Sequence, residues 1–279
     1  MPVYNGEKYI RTALNSVINQ TFQKFRLIIS DNASSDKTKE ICQEFIRQDT
    51  RIHYIRQVYN IGAFYNYKFL VNNAKTPYFV WLASDDYWEP SFLEKNLAVL
   101  EKNADFVASI SKVGFIENGS LSREAKGTYE LSCGTMKRLW KYLSKPSDNC
   151  RFYSVFRTSI IQKSFREVIP CHGADLLIMA FSLQYGKHME TPGLLMLRSD
   201  FEPDRYMKQV DTDNGSLLTR LFPMLPFSIL LVKALGAVKS FMLFLPLMRL
   251  NINKHIEYVR LRYGIRSYFN FLDKQRFKF

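Results

Sequence analysis

An alternation constrains this chain more than any other feature. Over roughly its first 112 residues, stretches with helical periodicity take turns with short apolar runs of strand character. Ile10, Ala13, Leu14, Val17 and Ile18 recur at the i, i+3, i+4, i+7, i+8 spacing that lays one apolar stripe along a helix. Residues 25–30 (FRLIIS) read as a strand ending at Asp31, and residues 32–36 (NASSD) are rich in helix-capping groups. Ile41, Phe45 and Ile46 mark the next helix, and residues 52–56 a short strand. Asn60-Ile61-Gly62 turns the chain into a third helix reaching about residue 73, and residues 78–83 form the next strand. Phe92, Leu93, Leu97 and Leu100 mark a fourth helix, residues 106–111 a further strand, and Asn118-Gly119 a hairpin turn. Strands separated by helices favour parallel pairing, because each return to the same end of a sheet needs a crossover. The order αβαβαβαβ therefore predicts an α/β chain with a largely parallel sheet and a mixed region behind it.

The stretch at residues 76–90, TPYFVWLASDDYWEP, is the most informative part of this alternation. Its continuous apolar run has the pattern of a strand buried on both faces. The run breaks at Ser84 into two adjacent acids, Asp85 and Asp86, and Pro90 suits the first turn of the helix that follows. Open α/β sheets place ligands beyond the carboxyl ends of their strands. Neighbouring carboxylates repel unless a positive charge sits between them, and a divalent cation meets that need. An exposed acidic turn before a helix N-terminus accommodates the same residues. Elsewhere His53, His188 and His255 lack metal-ligand spacing, which argues against zinc. Cys42, Cys133, Cys150 and Cys171 form no CxxC pair and read as reduced thiols in a cytosolic setting. The opening MPVYNGEKYI has no apolar core of a signal peptide.

Farther along, residues 150–162 read as a strand followed by a polar turn. Residues 171–186 read as a loop and then a helix from about Ala174, with Gly186 past its end. Asp175 thus stands in a first helical turn, where the helix dipole welcomes an acid in any case. The tail changes character. The chain carries a formal charge of +13, and from Lys233 onward ten Lys/Arg face two acids, Glu257 and Asp273. Residues 221–248 are strongly apolar but interrupted by Pro223, Pro226, Lys233, Lys239 and Pro246. Residues 227–245 are long enough to cross a bilayer. However, each central lysine would cost roughly 2.5–3.5 kcal/mol there. An interfacial helix with Lys233 and Lys239 towards the headgroups fits better. The basic residues beyond it (Arg249, Lys254, Arg260, Arg262, Arg266, Lys274, Arg276, Lys278) suit an anionic cytoplasmic leaflet. A helical pair docked on the globular part is the alternative, and the two are compatible. A nucleic-acid binder would instead spread its basic residues over the globular part with exposed aromatics between them; concentration beside an apolar helix speaks for a membrane and against nucleic acid.

The runs PVYNGEKYI, SVINQTF, LIISDNASSDKT, NIGAFYNY and FVWLASDDYWEP, in that order, resemble a family 2 glycosyltransferase of the GT-A fold, a Rossmann-like mixed sheet flanked by helices. The likeness holds in register from residue 2 to about 112 and more faintly to about 200. It implies a GT-A domain over residues 1–204, with a nucleotide-sugar half to about 112 and an acceptor half from about 113. A C-terminal amphipathic, basic helical extension over residues 205–279 would associate with the membrane. It further implies that Asp31 contacts the nucleotide base, with Pro2, Val3 and Tyr4 lining it and Glu7 and Asn60 nearby. The family's D-x-D signature falls on Ala83-Ser84-Asp85-Asp86, where Ala83 replaces the first acid of the commonest form. Asp85 would face the ribose and Asp86 hold Mn²⁺ or Mg²⁺. Asp175 takes the place of the general base, with Gly186, Lys187 and Pro192 matching the segment that follows, and His172 stands within reach of an acceptor. The implied activity is inverting, metal-dependent sugar transfer from a nucleotide-sugar, a UDP-sugar by preference, to the hydroxyl of a glycan or lipid-linked acceptor. The expected setting is the inner face of the cell membrane during bacterial surface-polysaccharide synthesis. One departure stands out. Family members carry an apolar strand before the Pro-x-Tyr-Asn turn, and here Met1 directly precedes Pro2, so the first sheet strand is expected to be missing. That leaves a truncated, inactive nucleotide-sugar-binding remnant as an alternative. A nucleotidyltransferase, the second alternative, would want a Gly-rich phosphate loop near the N-terminus, and the sequence has none.

Overall fold

The computed structural model describes residues 1–117, 119–166, 168–199 and 224–263. The expected boundary at residues 204/205 and the basic residues Arg266, Lys274, Arg276 and Lys278 lie outside them. The chain begins β1 (Pro2–Val3), α1 (Ile10–Ile18), β2 (Leu27–Asp31), α2 (Thr38–Gln48), β3 (Ile52–Arg56) and α3 (Ala63–Asn72). These helices arise where the periodicity placed them, and the stripes point inward: Ile10, Ala13, Leu14 and Val17 on α1 are buried, as are Ile41 and Phe45 on α2. Each buried Ile, Leu, Val or Phe among them contributes on the order of 1.5–3 kcal/mol by leaving water. Strands β1, β2 and β3 form a parallel sheet in that order.

The apolar strand expected to be missing would precede Pro2; what the structure holds is the two-residue β1 at Pro2–Val3. Pro2 and Val3 pair with Ser30 and Asp31 of β2. The Met1 ammonium donates to the Ile28 carbonyl at 2.7 Å, and the Ser30 amide donates to the Met1 carbonyl at 2.9 Å. Met1 thus adds backbone hydrogen bonds to β2 beside the two-residue β1.

Next come β4 (Tyr78–Phe79), β5 (Tyr87–Trp88), α4 (Phe92–Lys102), β6 (Phe106–Glu117) and β7 (Ser120–Glu124). After them run α5 (Thr135–Ser144), β8 (Val155–Arg157), α6 (Thr158–Arg166), α7 (Ala174–Tyr185) and β9 (Lys187–Ser199). The second sheet runs β4-β8-β6-β9-β5, with β7 paired to β6. Only β6–β9 is parallel; the other pairs are antiparallel. The sheet system is therefore mixed and divided in two rather than largely parallel. The strand expected over residues 78–83 also shrinks, to Tyr78–Phe79. Its partner β8 has three residues, and before it the chain coils into a 3₁₀ turn at Cys150–Tyr153, so the ladder has nowhere to continue. Residues 158–162, expected as a polar turn, open α6 instead, with Ile161 and Phe165 buried on its inner side. At the start of β9, a Cβ on Gly186 would lie 2.2 Å from the Val107 side chain. Only glycine lets this strand close on β6.

The C-terminal residues form α8 (Leu225–Leu235), α9 (Ala237–Met242) and α10 (Phe244–Tyr263). Phe227, Leu231, Leu243, Leu247 and Leu250 are buried in one core with Leu139, Leu177 and Phe181 of α5 and α7. The docked arrangement is thus realised. Yet the outer side of the same helices stays apolar, with Phe241, Phe244, Leu245 and Met248 exposed. Among the described residues, no helix is long and apolar enough to cross a membrane.

Candidate active site

After β4 the chain is held by Trp81, which is fully buried and stacks on Phe152 with ring centroids 4.5 Å apart and planes 6° from parallel. The next residues turn, with the Asp86 amide donating to the Ala83 carbonyl. β5 then pairs with the end of β9, placing Tyr87 opposite Leu197. This pairing carries Arg198 and Ser199 to the two acids. Arg198 Nε lies 3.2 Å from Asp86 Oδ2 and 3.4 Å from Oδ1, and Ser199 Oγ donates to the Asp85 carbonyl at 3.0 Å. The guanidinium lies over the Tyr153 ring at 4.1 Å. Asp86 is only 2% exposed. Burial pushes its carboxyl up to about 7, against the pull of Arg198 and with a further push from Asp85. Burial also opposes the Arg198 charge, but Asp86 more than restores it, and the arginine stays cationic. Asp85 is half-buried, and among the described residues no hydrogen bond or ion pair reaches its carboxylate.

Asp175 emerges where the sequence placed it, in the first turn of α7, and is exposed. Asn149 Nδ2 donates to its Oδ2 at 2.7 Å, and the Tyr142 hydroxyl donates to Asn149 Oδ1 at 2.7 Å. Asn149 adopts a left-handed backbone (φ 47°), a conformation asparagine tolerates better than most residues. Its neighbour Cys150 accepts a 3.8 Å contact from Arg198 Nη1. The dipeptide Asn149-Cys150 therefore touches Asp175 with one residue and the Arg198–Asp86 pair with the other. His172 sits half-buried in the turn before α7.

The other expected residues gather at the end of β2. Asp31 is fully buried, and its oxygens accept from the Ser34 amide and hydroxyl, the Tyr54 hydroxyl and Arg56 Nη1, the last at 2.9 Å. The resemblance sets Asp31 against a base; here its carboxylate is filled by the protein, and Arg56 is the half-exposed group it presents outward. Pro2 and Val3 are buried beside it, whereas Tyr4 is 50% exposed. Glu7 accepts from the Lys37 amide, and Asn60 Oδ1 accepts from Asn32 Nδ2 and the Gly62 amide. These bonds stitch the 4–7 loop to the start of α2 and the 60–62 turn to the end of β2. Among the described residues no cluster of three His, Cys, Asp or Glu exists, so the acid pair stands without a third protein carboxylate.

Arg198 and Asn149 were missed from sequence. Arg198 had a signal, since an apolar run (residues 194–197) ending in a charged residue repeats the pattern that singled out Asp31 and Asp85. Asn149 lies in the turn-rich PSDNC run, which says nothing of what its side chain will touch.

A family model for Glycosyl transferase family 2 matches residues 1–165. Among curated proteins, the uncharacterized glycosyltransferase MJ1057 of Methanocaldococcus jannaschii is 36% identical over 129 residues, 45% of this chain and 44% of that protein. The glycosyltransferase GlyA of Streptococcus pneumoniae is 34% identical over 111 residues, 40% of this chain and 15% of that protein. The chain thus spans less than half the length of these relatives. Among solved structures, S. aureus TarS 1–349 superposes with a TM-score of 0.65 at 16% identity, covering 95% of this chain and 73% of that one. The same protein in complex with UDP-GlcNAc gives 0.61 at 15% identity, covering 96% and 73%. At this identity the likeness concerns the fold, a mixed α/β architecture of the GT-A kind.

Proposed function

The chain belongs to glycosyl transferase family 2, and on that premise we propose that it transfers a sugar from a nucleotide-sugar to an acceptor hydroxyl with inversion at the anomeric carbon. The observation that carries this reading is the link through Asn149-Cys150, which ties an exposed carboxylate, Asp175, to a buried, charge-rich corner at Asp86. These are the two ends an in-line displacement needs, a proton acceptor on one side and positive charge for a departing diphosphate on the other. Asp175 has one oxygen held by Asn149, which leaves the other to take the acceptor proton. Arg198 supplies fixed positive charge beside the acids.

The pair Asp85 and Asp86 fits a hard divalent cation. Mg²⁺-type sites use one or two carboxylates completed by substrate phosphate oxygens, so the lack of a third protein acid is no obstacle. Asp86 would hold Mn²⁺ or Mg²⁺, with Asp85 facing the ribose, and the bound ion would act as a Lewis acid on the diphosphate. Tyr4, Glu7 and Asn60 frame the nucleoside end, with Pro2, Val3 and Asp31 behind them. The donor is taken as a UDP-sugar, since the superposed TarS structure contains UDP-GlcNAc. The acceptor is a glycan or lipid-linked intermediate near His172, met at the inner face of the membrane through the exposed apolar side of α9 and α10. A screen of UDP-, GDP- and dTDP-sugars for binding and slow hydrolysis tests the reading. UDP-sugars are expected to bind in the presence of Mn²⁺ and to be turned over; binding without turnover would favour the inactive remnant, and failure of every nucleotide-sugar to bind would overturn the reading.

A further inference from the structure

We propose that a groove enclosed by α8, α9 and α10 receives one hydrocarbon chain of an anionic phospholipid, so that the protein grips a lipid rather than only resting on a bilayer. The inference rests on the membrane reading above and deepens it. The groove has a volume of about 560 Å³, within the range of small-molecule pockets. Its walls are Val232, Phe241, Phe244, Met248 and Ile252, all exposed. Leu247 lines the same space and also belongs to the core shared with α5 and α7, so the floor is part of the packed fold. Asn251 and His255, one turn apart on α10, line it too. Asn251 Oδ1 and His255 Nδ1 have no hydrogen-bond partner among the described residues, while Asn251 Nδ2 is fixed by Ser228 Oγ and the Leu247 carbonyl. An apolar cleft with unspent polar atoms suits a molecule that is hydrocarbon along its length and polar at one end.

Charge selects among occupants. Residues 224–256 contain Lys233, Lys239, Arg249 and Lys254 and no acid. A second copy would bring these cations against their own likeness. The end of this chain, with Arg266, Lys274, Arg276 and Lys278 against Asp273 alone, is excluded on the same ground. An anionic headgroup is attracted to the cations these helices carry, and the chain beneath it enters the cleft.

The test uses the full chain with phosphatidylcholine vesicles, with and without phosphatidylglycerol, and a trace of phosphatidylglycerol carrying a photoreactive diazirine in mid-chain. The expected result is sedimentation with the anionic vesicles and cross-links at Val232, Met248 and Ile252. Val232→Trp, which fills the cleft, should cut those cross-links about tenfold, an affinity loss of about 1.4 kcal/mol, while sedimentation persists. Ile252→Trp replaces it if the first variant does not fold. Cross-links confined to Met242 and Leu245, which are exposed but do not line the groove, with sedimentation intact, would overturn the groove and leave the membrane reading standing. Absence of sedimentation with either vesicle would overturn both. A dimer in solution that Val232→Trp dissociates would assign the groove to a second copy and overturn the lipid.

Discussion

Two strand ends in this molecule carry buried aspartates, and they are treated in opposite ways. At the end of β2, Asp31 accepts from Ser34, Tyr54 and Arg56 and is fully covered. Past β4, Asp86 is nearly as buried but meets one guanidinium edge-on beside a second carboxylate that has no partner among the described residues, and its pKa rises to about 7. A carboxylate whose oxygens are all used stabilises the fold. One that burial and a neighbouring acid push upward is stabilised by any cation that arrives. The same residue type, closing β2 in one sheet and preceding β5 in the other, thus serves as a rivet in one and as a reserved position in the other.

The contrast can be broken by substitution. Asp86→Asn removes a ligand charge and almost no volume, so it should abolish transfer in a steady-state assay while leaving the circular dichroism spectrum unchanged. Full activity of this variant in chelator would erase the distinction. Asp175→Asn keeps size and the bond from Asn149 but cannot take a proton. Turnover should fall ~10²–10⁴-fold with donor affinity retained by calorimetry, and equal loss of donor binding would move Asp175 to the other side of the comparison. Asp31→Ala tests the rivet. Denaturant titration should show a loss of about 1–3 kcal/mol from the donors left unpaired, and unchanged stability would mean that the carboxylate is not structural.

The smallest effect concerns pH. His188 is buried against Ser182, and burial, aided by the Arg151 and Arg138 charges, holds its pKa well below the usual value of 6.5. The unfolded chain therefore protonates first, and the stability this neutral imidazole carries is present above pH 6.5 and drains away as pH falls. The slope should approach ~1.4 kcal/mol per pH unit. Melting curves between pH 7.5 and 5.5 should fall less steeply for His188→Gln, and identical slopes would remove His188 from the acid response.

The helices were legible because their periodicity is local: α1, α2, α3, α4 and α7 lie within a residue or two of where spacing and caps put them. The strands were legible only where both neighbours could be guessed. Residues 78–83 have the composition of a buried strand, but a ladder needs a partner, and the brevity of β8 is not written in those residues. The division into two sheets and the thirteen-residue β9 depend on pairings between distant segments, which single-sequence patterns do not encode. At the candidate site the acids were visible because polar residues at the ends of apolar runs are conspicuous. Asn149 and Tyr142 were not, because a hydrogen bond made across the fold leaves no local mark.

The long pairing of β6 with β9 has a consequence for when the site comes into being. Arg198 stands at the far end of β9, 112 residues after the Asp86 it neutralises. Closing so large a loop is slow, since its entropy must be met before any contact rewards it. A ribosome releasing this chain at roughly 5–20 residues per second delivers the acids several seconds before their arginine. Throughout that interval the nascent chain holds Asp85 and Asp86 without the cation that completes the corner. The corner is complete only once β9 has paired with β6 and β5.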